Sequence, residues 1–201
     1  RLSKQKVLVQ ELYCIETLAR VDTLCLDKTG TLTEGKMEVK DYILTNKNKE
    51  DFFDVLTNVA NASIDNNATI LALRDYFKSK KKFITKNIIP FSSKTKWSAV
   101  EFEDIGTYII GAPEFVLKDK VDTYTEVINK YAKEYRMLVV AHCNCIIDKK
   151  LPENIEVLGF VLILDKIRKE AKDTLKYFKE QEVDIKIISG DNPVTVSQIA
   201  K

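Results

Sequence analysis

The feature that most constrains the fold is a short apolar run that ends in a carboxylate. Residues 21–27 read VDTLCLD, a pattern that predicts a buried strand ending at Asp27. The polar, glycine-containing segment KTGTLTEG at residues 28–35 predicts a turn directly afterwards. Ligands bind at the carboxyl ends of the strands in parallel sheets. Asp27 is therefore predicted to lie at a ligand-binding edge.

The two ends of the chain differ in pattern from its middle. Near the C-terminus, an amphipathic helical pattern at 167–182 precedes a second apolar strand, IKIIS, at 185–189. The middle contains strand patterns separated by short turns, at 83–89, 97–103, 107–110, 137–147 and 155–164. We therefore predict an α/β fold in which a Rossmann-like, doubly wound domain is interrupted by an inserted α+β domain containing an antiparallel sheet.

The change of pattern also sets the predicted domain limits. Seams are expected near residues 35–37 and near Asp165. Residues 1–36 and 165–201 then form the two parts of the doubly wound domain, and residues 37–164 form the insertion. The remaining helices are predicted at 3–20, 50–63, 67–82, 112–118, 122–135 and from Val194 onward.

Composition excludes several classes of function. The 201 residues are 45% hydrophobic and 31% charged with a net charge of +2, which is too weak for a nucleic-acid-binding surface. The lysine cluster at residues 78–82 is predicted to be a solvated helix end. The longest apolar run, residues 157–164, is far shorter than the roughly 20 residues needed to span a bilayer. Any membrane-spanning part is expected to lie outside this chain.

The four cysteines give no sign of a metal or disulfide framework. Cys14, Cys25, Cys143 and Cys145 show no CxxC spacing, so reduced thiols in a cytosolic protein are predicted. His142 precedes Cys143 in a predicted strand, where neighbouring side chains point to opposite faces. That alternation argues against a shared metal site.

Two turns carry the residue types needed for phosphoryl transfer. Asp27 can act as a nucleophile that forms an acyl-phosphate, while the hydroxyls and backbone amides of residues 28–33 can bind phosphate oxygens. Lys28 adds a cation. At the other end, Ser189-Gly190-Asp191 is a strand-to-helix turn that offers a hydroxyl and a helix N-terminus to a phosphate group.

The segment DKTGTLT at 27–33 resembles the phosphorylation motif of P-type (E1–E2) cation-transporting ATPases, within the haloacid-dehalogenase-like superfamily. Four further segments resemble family motifs in the same order: FSSKTK at 91–96, GAPE at 111–114, DKIR at 165–168 and SGDN at 189–192. The resemblance covers essentially the whole chain. It implies a haloacid-dehalogenase-type phosphorylation domain, present in part, with an inserted nucleotide-binding domain.

The resemblance also assigns roles to individual residues. It implies that Asp27 is phosphorylated, with Lys28, Ser189 and Asp191 as further catalytic residues. ATP and magnesium are the implied cofactors, with Asp27 and the backbone carbonyl of Thr29 as magnesium ligands and a third ligand beyond Lys201. The adenine is expected against Phe91, and the implied nucleotide contacts are Thr29, Lys96, Gly111, Arg136, Arg168 and Gly190.

Four positions depart from the family pattern. Ile110 stands where the KGAPE lysine is expected, and Ile70 where many members carry a glutamate. Lys166 replaces the proline of the DPxR motif, and Ser189 begins the TGDN-like motif. Loss of the polar groups at Ile110 and Ile70 predicts weak binding of ATP.

The resemblance places the chain in the cytoplasmic part of an integral plasma- or inner-membrane protein. The implied partners are ATP, the actuator and transmembrane domains of the same polypeptide, and a cation bound by its membrane helices. The run IETLARVDTLCLDKTG is similar to a bacterial calcium-transporting subgroup, so calcium is expected before magnesium as the transported ion. The chain alone is expected to be inactive.

Two other functions fit parts of the pattern. A free-standing phosphatase of the same superfamily usually carries a general acid two residues after the nucleophile, but this chain has Thr29 there. The insertion of about 130 residues is also large for a phosphatase cap. A non-catalytic nucleotide-binding module is favoured slightly by Ile110 and Ile70.

Overall fold

A computed structural model describes residues 13–45, 49–144, 150–152 and 154–188. Within these ranges the elements are, in chain order, α1 Tyr13–Leu18, β1 Thr23–Asp27, β2 Thr33–Leu44, α2 Lys49–Ala62, α3 Ala68–Tyr76, β3 Thr85–Ile89, β4 Trp97–Phe102, β5 Gly106–Gly111, α4 Pro113–Leu117, α5 Thr125–Tyr131, β6 Arg136–Cys143, β7 Glu156–Ile167, α6 Ala171–Glu180 and β8 Asp184–Ile188. A wide turn at Lys28–Leu32 joins β1 to β2, and a 3-10 helix at Lys118–Tyr124 precedes α5.

The first of two sheets pairs β1 with β8 in parallel. Thr23 lies opposite Asp184, and Asp27 lies opposite Ile188. The carboxyl ends of both strands therefore meet at one edge, which confirms the parallel pairing predicted from the sequence. The predicted turn at residues 189–191, the helix from Val194, the start of the first helix and Cys145 lie outside the described residues.

The second sheet is antiparallel, with strand order β2-β7-β6-β5-β4-β3. Its alternating side chains feed two cores. On one face, Val161 and Ile163 of β7 pack into a core formed with α2 and α3. On the other face, Phe160 and Leu162 pack with residues of α4 and with Trp97. The predicted antiparallel sheet is confirmed, and the two-sided burial explains the long apolar run in β7.

The longest strands pass through the positions predicted as seams. β2 pairs with β7 from Thr33 opposite Ile167 to Leu44 opposite Gly159, with a register shift between Thr33 and Met37. Gly35 lies in that irregular stretch with φ of 68°, a left-handed conformation that glycine adopts readily. The division into residues 1–36, 37–164 and 165–201 stays a prediction.

Three predicted helices are shorter than their sequence patterns. The pattern at 167–182 becomes helical only at Ala171, because Ile167 still pairs with Thr33 and the Arg168 amide donates to the Leu32 carbonyl at 2.9 Å. Ile167 is the first apolar residue of that helical pattern, yet it ends β7 and is half exposed. In the pattern at 122–135, only Thr125–Tyr131 is α-helical.

The helix predicted at 67–82 ends at Tyr76, because Phe77 turns to extended backbone and buries its ring. The following segment is held by Asn58 of α2. The side-chain nitrogen of Asn58 donates to the Lys81 carbonyl at 2.9 Å, and its side-chain oxygen accepts from the Phe83 amide at 2.9 Å. The lysine cluster therefore lies largely in an irregular segment rather than on a helix end. In the described part of the chain, no helix combines the length and apolarity needed to cross a bilayer.

Candidate active site

Asp27 is the last residue of β1, and its side chain is exposed. The wide turn that follows is closed from within: Thr33 Oγ1 accepts from the Gly30 amide at 3.2 Å and donates to the Lys28 carbonyl at 3.4 Å. Gly30 has φ of 82°, so a glycine is needed for this path of the chain. Thr29 is exposed in the middle of the turn.

The side chain of Lys28 points from the turn into the protein interior, away from solvent. Its side chain is 1% exposed, and its Nζ lies 2.6 Å from Oδ2 of Asp165 near the end of β7. Burial of a lysine normally requires such a partner, because the ammonium loses its hydration. The ion pair fixes the start of the turn against the C-terminal end of β7.

The segment after Asp165 makes two further contacts with the turn region. Nη2 of Arg168 donates to the Gly30 carbonyl at 2.9 Å. Lys166 lies 3.0 Å from a carboxylate oxygen of Glu34, and this hydrogen bond lowers the pKa of Glu34 below its usual value. The family-like motifs at 27–33 and 165–168 are thus held together by direct side-chain contacts.

A groove of about 270 Å³ joins this turn to the antiparallel sheet. Lys28 and Asp165 line it on one side, and Ala112, Pro113, Glu114 and Arg136 are among the residues of the sheet side. Arg136 begins β6 and is exposed. The structure therefore places the phosphorylation-like motif, the GAPE segment and Arg136 around one opening.

The 91–96 loop lies beside the GAPE segment. The Lys96 amide donates to the Ser92 carbonyl at 2.7 Å, and the Ala112 amide donates to the Lys96 carbonyl at 3.0 Å. Lys96 is exposed and has φ of 60°. Phe91, at the start of the loop, is 45% exposed, and its amide donates to Oδ2 of Asp65 at 2.9 Å. Phe91 is thus an accessible aromatic surface, not a core residue.

Gly111 is required by close packing between neighbouring strands. It pairs with Trp97 on β4 and Val139 on β6. A Cβ at this position would lie 2.5 Å from Cβ of Trp97 and 2.7 Å from the Lys96 carbonyl oxygen. The glycine therefore lets β5 approach the end of the 91–96 loop.

The two departures at isoleucine positions are core residues. Ile110 and Ile70 are each 4% exposed and belong to the core between the sheet and α2 and α3. The backbone amide of Ile70 is capped by Oδ1 of Asn67 at 3.0 Å. Both side chains pack into this core, so neither position offers a polar side-chain group to a ligand.

The oxygen donors near Asp27 suit magnesium, which prefers oxygen ligands and keeps several waters. The exposed carboxylate of Asp27 and the backbone carbonyl of Thr29 are two such donors. Across the described ranges, no group of three or more His, Cys, Asp or Glu side chains is arranged to hold a metal ion. His142 instead hydrogen-bonds through Nε2 with the Ile105 carbonyl at 2.8 Å.

Two acids in this region had no partner assigned from the sequence. In the sequence, Asp165 is the first residue of the DKIR segment, and Asp65 lies in the gap between the helices predicted at 50–63 and 67–82. Their partners, Lys28 and the Phe91 amide, are distant in sequence. No periodicity or spacing signals such contacts. The predicted residues Ser189, Gly190 and Asp191 fall beyond the part of the chain that the structure describes.

Comparison with known proteins agrees with this arrangement. The haloacid dehalogenase-like hydrolase family matches residues 21–201. The probable cation-transporting ATPase exp7 of Streptococcus pneumoniae is 44% identical over all of this chain and 26% of its own length. The calcium-transporting ATPase CtpE of Mycobacterium tuberculosis is 38% identical over the same shares. The chain thus spans about a quarter of the length of these relatives.

Solved structures show the same fold. A zinc-transporting PIB-type ATPase in its E2.Pi state gives a TM-score of 0.68 at 19% identity, covering 92% of this chain and 28% of that one. The catalytic domain of the CPx-ATPase CopB-B gives 0.64, covering 96% and 63%. The chain belongs to the haloacid dehalogenase-like hydrolase family, and its whole length matches a part of the cation-transporting P-type ATPases.

Proposed function

We propose that this chain is the ATP-binding and aspartyl-phosphorylated region of a cation-transporting P-type ATPase. The observation that carries the proposal is the position of Asp27. It is an exposed carboxylate at the carboxyl end of a parallel strand, followed by a turn that Lys28, Gly30 and Arg168 hold in place. Asp27 is the proposed acceptor of the phosphoryl group.

The proposed reaction is an in-line displacement at the γ-phosphorus of ATP. A carboxylate oxygen of Asp27 forms a bond to phosphorus, while the bond from phosphorus to the β,γ-bridging oxygen breaks. ADP leaves with the electron pair of that bond. Bound magnesium, held by Asp27 and the Thr29 carbonyl, would offset the repulsion between carboxylate and triphosphate. Lys28 and Ser189 are proposed to hold phosphoryl oxygens, and Asp191 to arrange the site.

The nucleotide is proposed to bind across the groove. Phe91 offers an exposed ring on which adenine can stack, and the groove presents an exposed cationic side chain, that of Arg136, toward phosphate. Further contacts are proposed from Lys96, Gly111, Thr29, Arg168 and Gly190. Binding is expected to be weak because Ile110 and Ile70, both buried, supply no polar contact to the nucleotide.

The residue after Lys28 argues for a long-lived acyl-phosphate. A threonine hydroxyl cannot act as the general acid and base that a phosphatase of this superfamily places at the position of Thr29. The phosphorylated aspartate should therefore persist while other domains move, as a transport cycle requires.

The rest of the polypeptide is part of the same proposal. The cytoplasmic location of this chain, the actuator and membrane domains, and the transported cation are inferred from the matched relatives. We propose a divalent cation, with calcium before magnesium, because relatives at 38% identity are named as calcium-transporting. Ion-dependent ATPase activity over a panel of cations tests this assignment, and stimulation by monovalent ions alone would refute it.

The decisive test is labelling of the full-length protein with γ-labelled ATP and magnesium. We expect acid-stable, hydroxylamine-sensitive label in the wild type and none in Asp27→Asn, although that variant still binds ATP. Asp22→Asn is the matched control, because Asp22 is an exposed aspartate that immediately precedes the opposite end of β1. Label that survives Asp27→Asn would show that another residue is phosphorylated.

A further inference from the structure

We propose that Asp65 reads the 6-position of the purine and selects ATP over 6-oxopurine nucleotides. The inference rests on the proposed function, because it requires a base stacked on Phe91. It assigns base selectivity to an acid in the turn between α2 and α3, a position that carries no role in the reaction described above.

Asp65 is in direct contact with the backbone of Phe91. Oδ2 of Asp65 accepts a hydrogen bond from the Phe91 amide at 2.9 Å. The carboxylate is therefore fixed beside the backbone of the residue whose exposed ring is the proposed platform. In the proposed pose, the base stacks on that ring with its 6-position turned toward the carboxylate.

The guanidinium group of Arg74 anchors the turn that carries Asp65. Arg74 of α3 donates through Nε to the Ala60 carbonyl at 2.8 Å and through Nη2 to the Ser63 carbonyl at 2.8 Å. Its Nη1 donates to Oδ1 of Asn66 at 2.7 Å. These hydrogen bonds fix the backbone before Asp65 and the side chain of Asn66 after it. The carboxylate of Asp65 contacts the Phe91 amide instead of Arg74. Arg74 is thus a positioning residue for the turn.

The hydrogen-bonding capacity of a carboxylate gives Asp65 a preference for a base that donates a hydrogen bond. An ionised aspartate only accepts hydrogen bonds, and it has two oxygens. One oxygen of Asp65 serves Phe91, so the second can accept from the 6-amino group of adenine. A 6-oxo group, as in guanine or hypoxanthine, would bring a second acceptor against the carboxylate. A hydrogen bond to a charged group corresponds to a preference of roughly tenfold to a hundredfold.

The test measures binding of ATP and of inosine triphosphate, whose base carries an oxo group at the 6-position and a proton on N1. Calorimetric titrations use the full-length protein. We expect the wild type to favour ATP by roughly tenfold or more. In Asp65→Asn the amide oxygen can still accept from Phe91, while its NH₂ group now donates. The preference should then disappear or reverse toward inosine triphosphate. Asp75→Asn, an exposed aspartate on α3, is the matched control and should keep the wild-type preference.

A second probe does not depend on any variant. N6,N6-dimethyl-ATP has no hydrogen to donate at the 6-position, so it should bind the wild type about as weakly as inosine triphosphate. An Asp65→Asn variant that binds ATP and keeps the wild-type preference would overturn the role of Asp65 and leave the proposed function intact. Absence of ATP binding in the wild type would instead overturn the proposed function.

Discussion

The buried Nζ of Lys28 lies 2.6 Å from Oδ2 of Asp165, so the residue after the proposed phosphoryl acceptor is paired with the C-terminal end of β7. The lysine side chain is 1% exposed and the aspartate side chain 17%. Removal of one member of such a pair leaves a charge with little access to water. The pair therefore contributes to stability as well as to the shape of the site.

Asp165→Ala should lower the free energy of unfolding by about 3–5 kcal/mol, because the buried ammonium group of Lys28 loses the carboxylate that lies 2.6 Å from it. Urea denaturation measures the change. Glu38→Ala is the control, since it removes the carboxylate from a solvent-screened pair with Lys40 and should have a much smaller effect on stability. Equal effects of the two substitutions would mean that the Lys28 pair is no stronger than a surface contact.

Gly111→Ala should destabilise the protein by about 1–3 kcal/mol, because the new Cβ would meet Trp97 and the Lys96 carbonyl. It should also weaken ATP binding, since the 91–96 loop must shift. Gly35→Ala is the comparison: its Cβ would meet nothing within 4 Å, so only its φ of 68° matters, at a cost of about 1–2 kcal/mol. Thermal unfolding and ATP titration separate the two cases. Unchanged ATP affinity in Gly111→Ala would argue against coupling to the loop.

Phe91→Ala should abolish measurable ATP binding while the fold survives, because the ring is 45% exposed and contributes little to the core. Phe115→Ala is the matched control, as Phe115 is 44% exposed and has no proposed contact with the nucleotide. ATP titration together with circular dichroism tests both variants. Unchanged affinity in Phe91→Ala would remove this ring from the nucleotide site.

The sequence predicted the parallel strands, the antiparallel sheet and the order of motifs, because these depend on local periodicity and on residues adjacent in the chain. Element ends were harder to predict. Ile167 follows the helical stripe of α6, yet its pairing with Thr33 keeps it in a strand. The partners of Lys28 and Phe91 were not predictable for the same reason: they are chosen by tertiary packing.

Lys166→Ala should raise the pKa of Glu34 toward its ordinary value of 4.5, because the hydrogen bond from Lys166 is the main cause of its depression. A lowered folded pKa means that the pair stabilises the protein above the ordinary pKa and loses this effect as pH falls through the lowered one. Carboxyl NMR titration measures the shift. Lys36→Ala should produce a smaller change, since Lys36 acts only through space. A pKa of Glu34 that stays low in Lys166→Ala would assign the depression to other charges.

Arg168→Lys should slow phosphoenzyme formation at saturating ATP by roughly tenfold or more, with little change in stability. The reason is that Nη2 of Arg168 donates a hydrogen bond to the Gly30 carbonyl at 2.9 Å, which helps to fix the turn that follows Asp27. Lysine keeps the charge but cannot reproduce the planar donor group of arginine. A displacement of about 1 Å in a reacting group can cost about a hundredfold in rate. The backbone bond from Arg168 to Leu32 is unaffected, so the strand pairing should survive.

Rapid-quench labelling of the full-length protein gives that rate, and ATP titration gives the affinity. Arg20→Lys, a conservative change at an exposed arginine paired with Glu16, is the control and should leave both unchanged. A lower rate at unchanged affinity would assign Arg168 to positioning of the turn. If affinity falls while the rate at saturating ATP is unchanged, Arg168 contacts the nucleotide and its bond to Gly30 does not limit the chemistry.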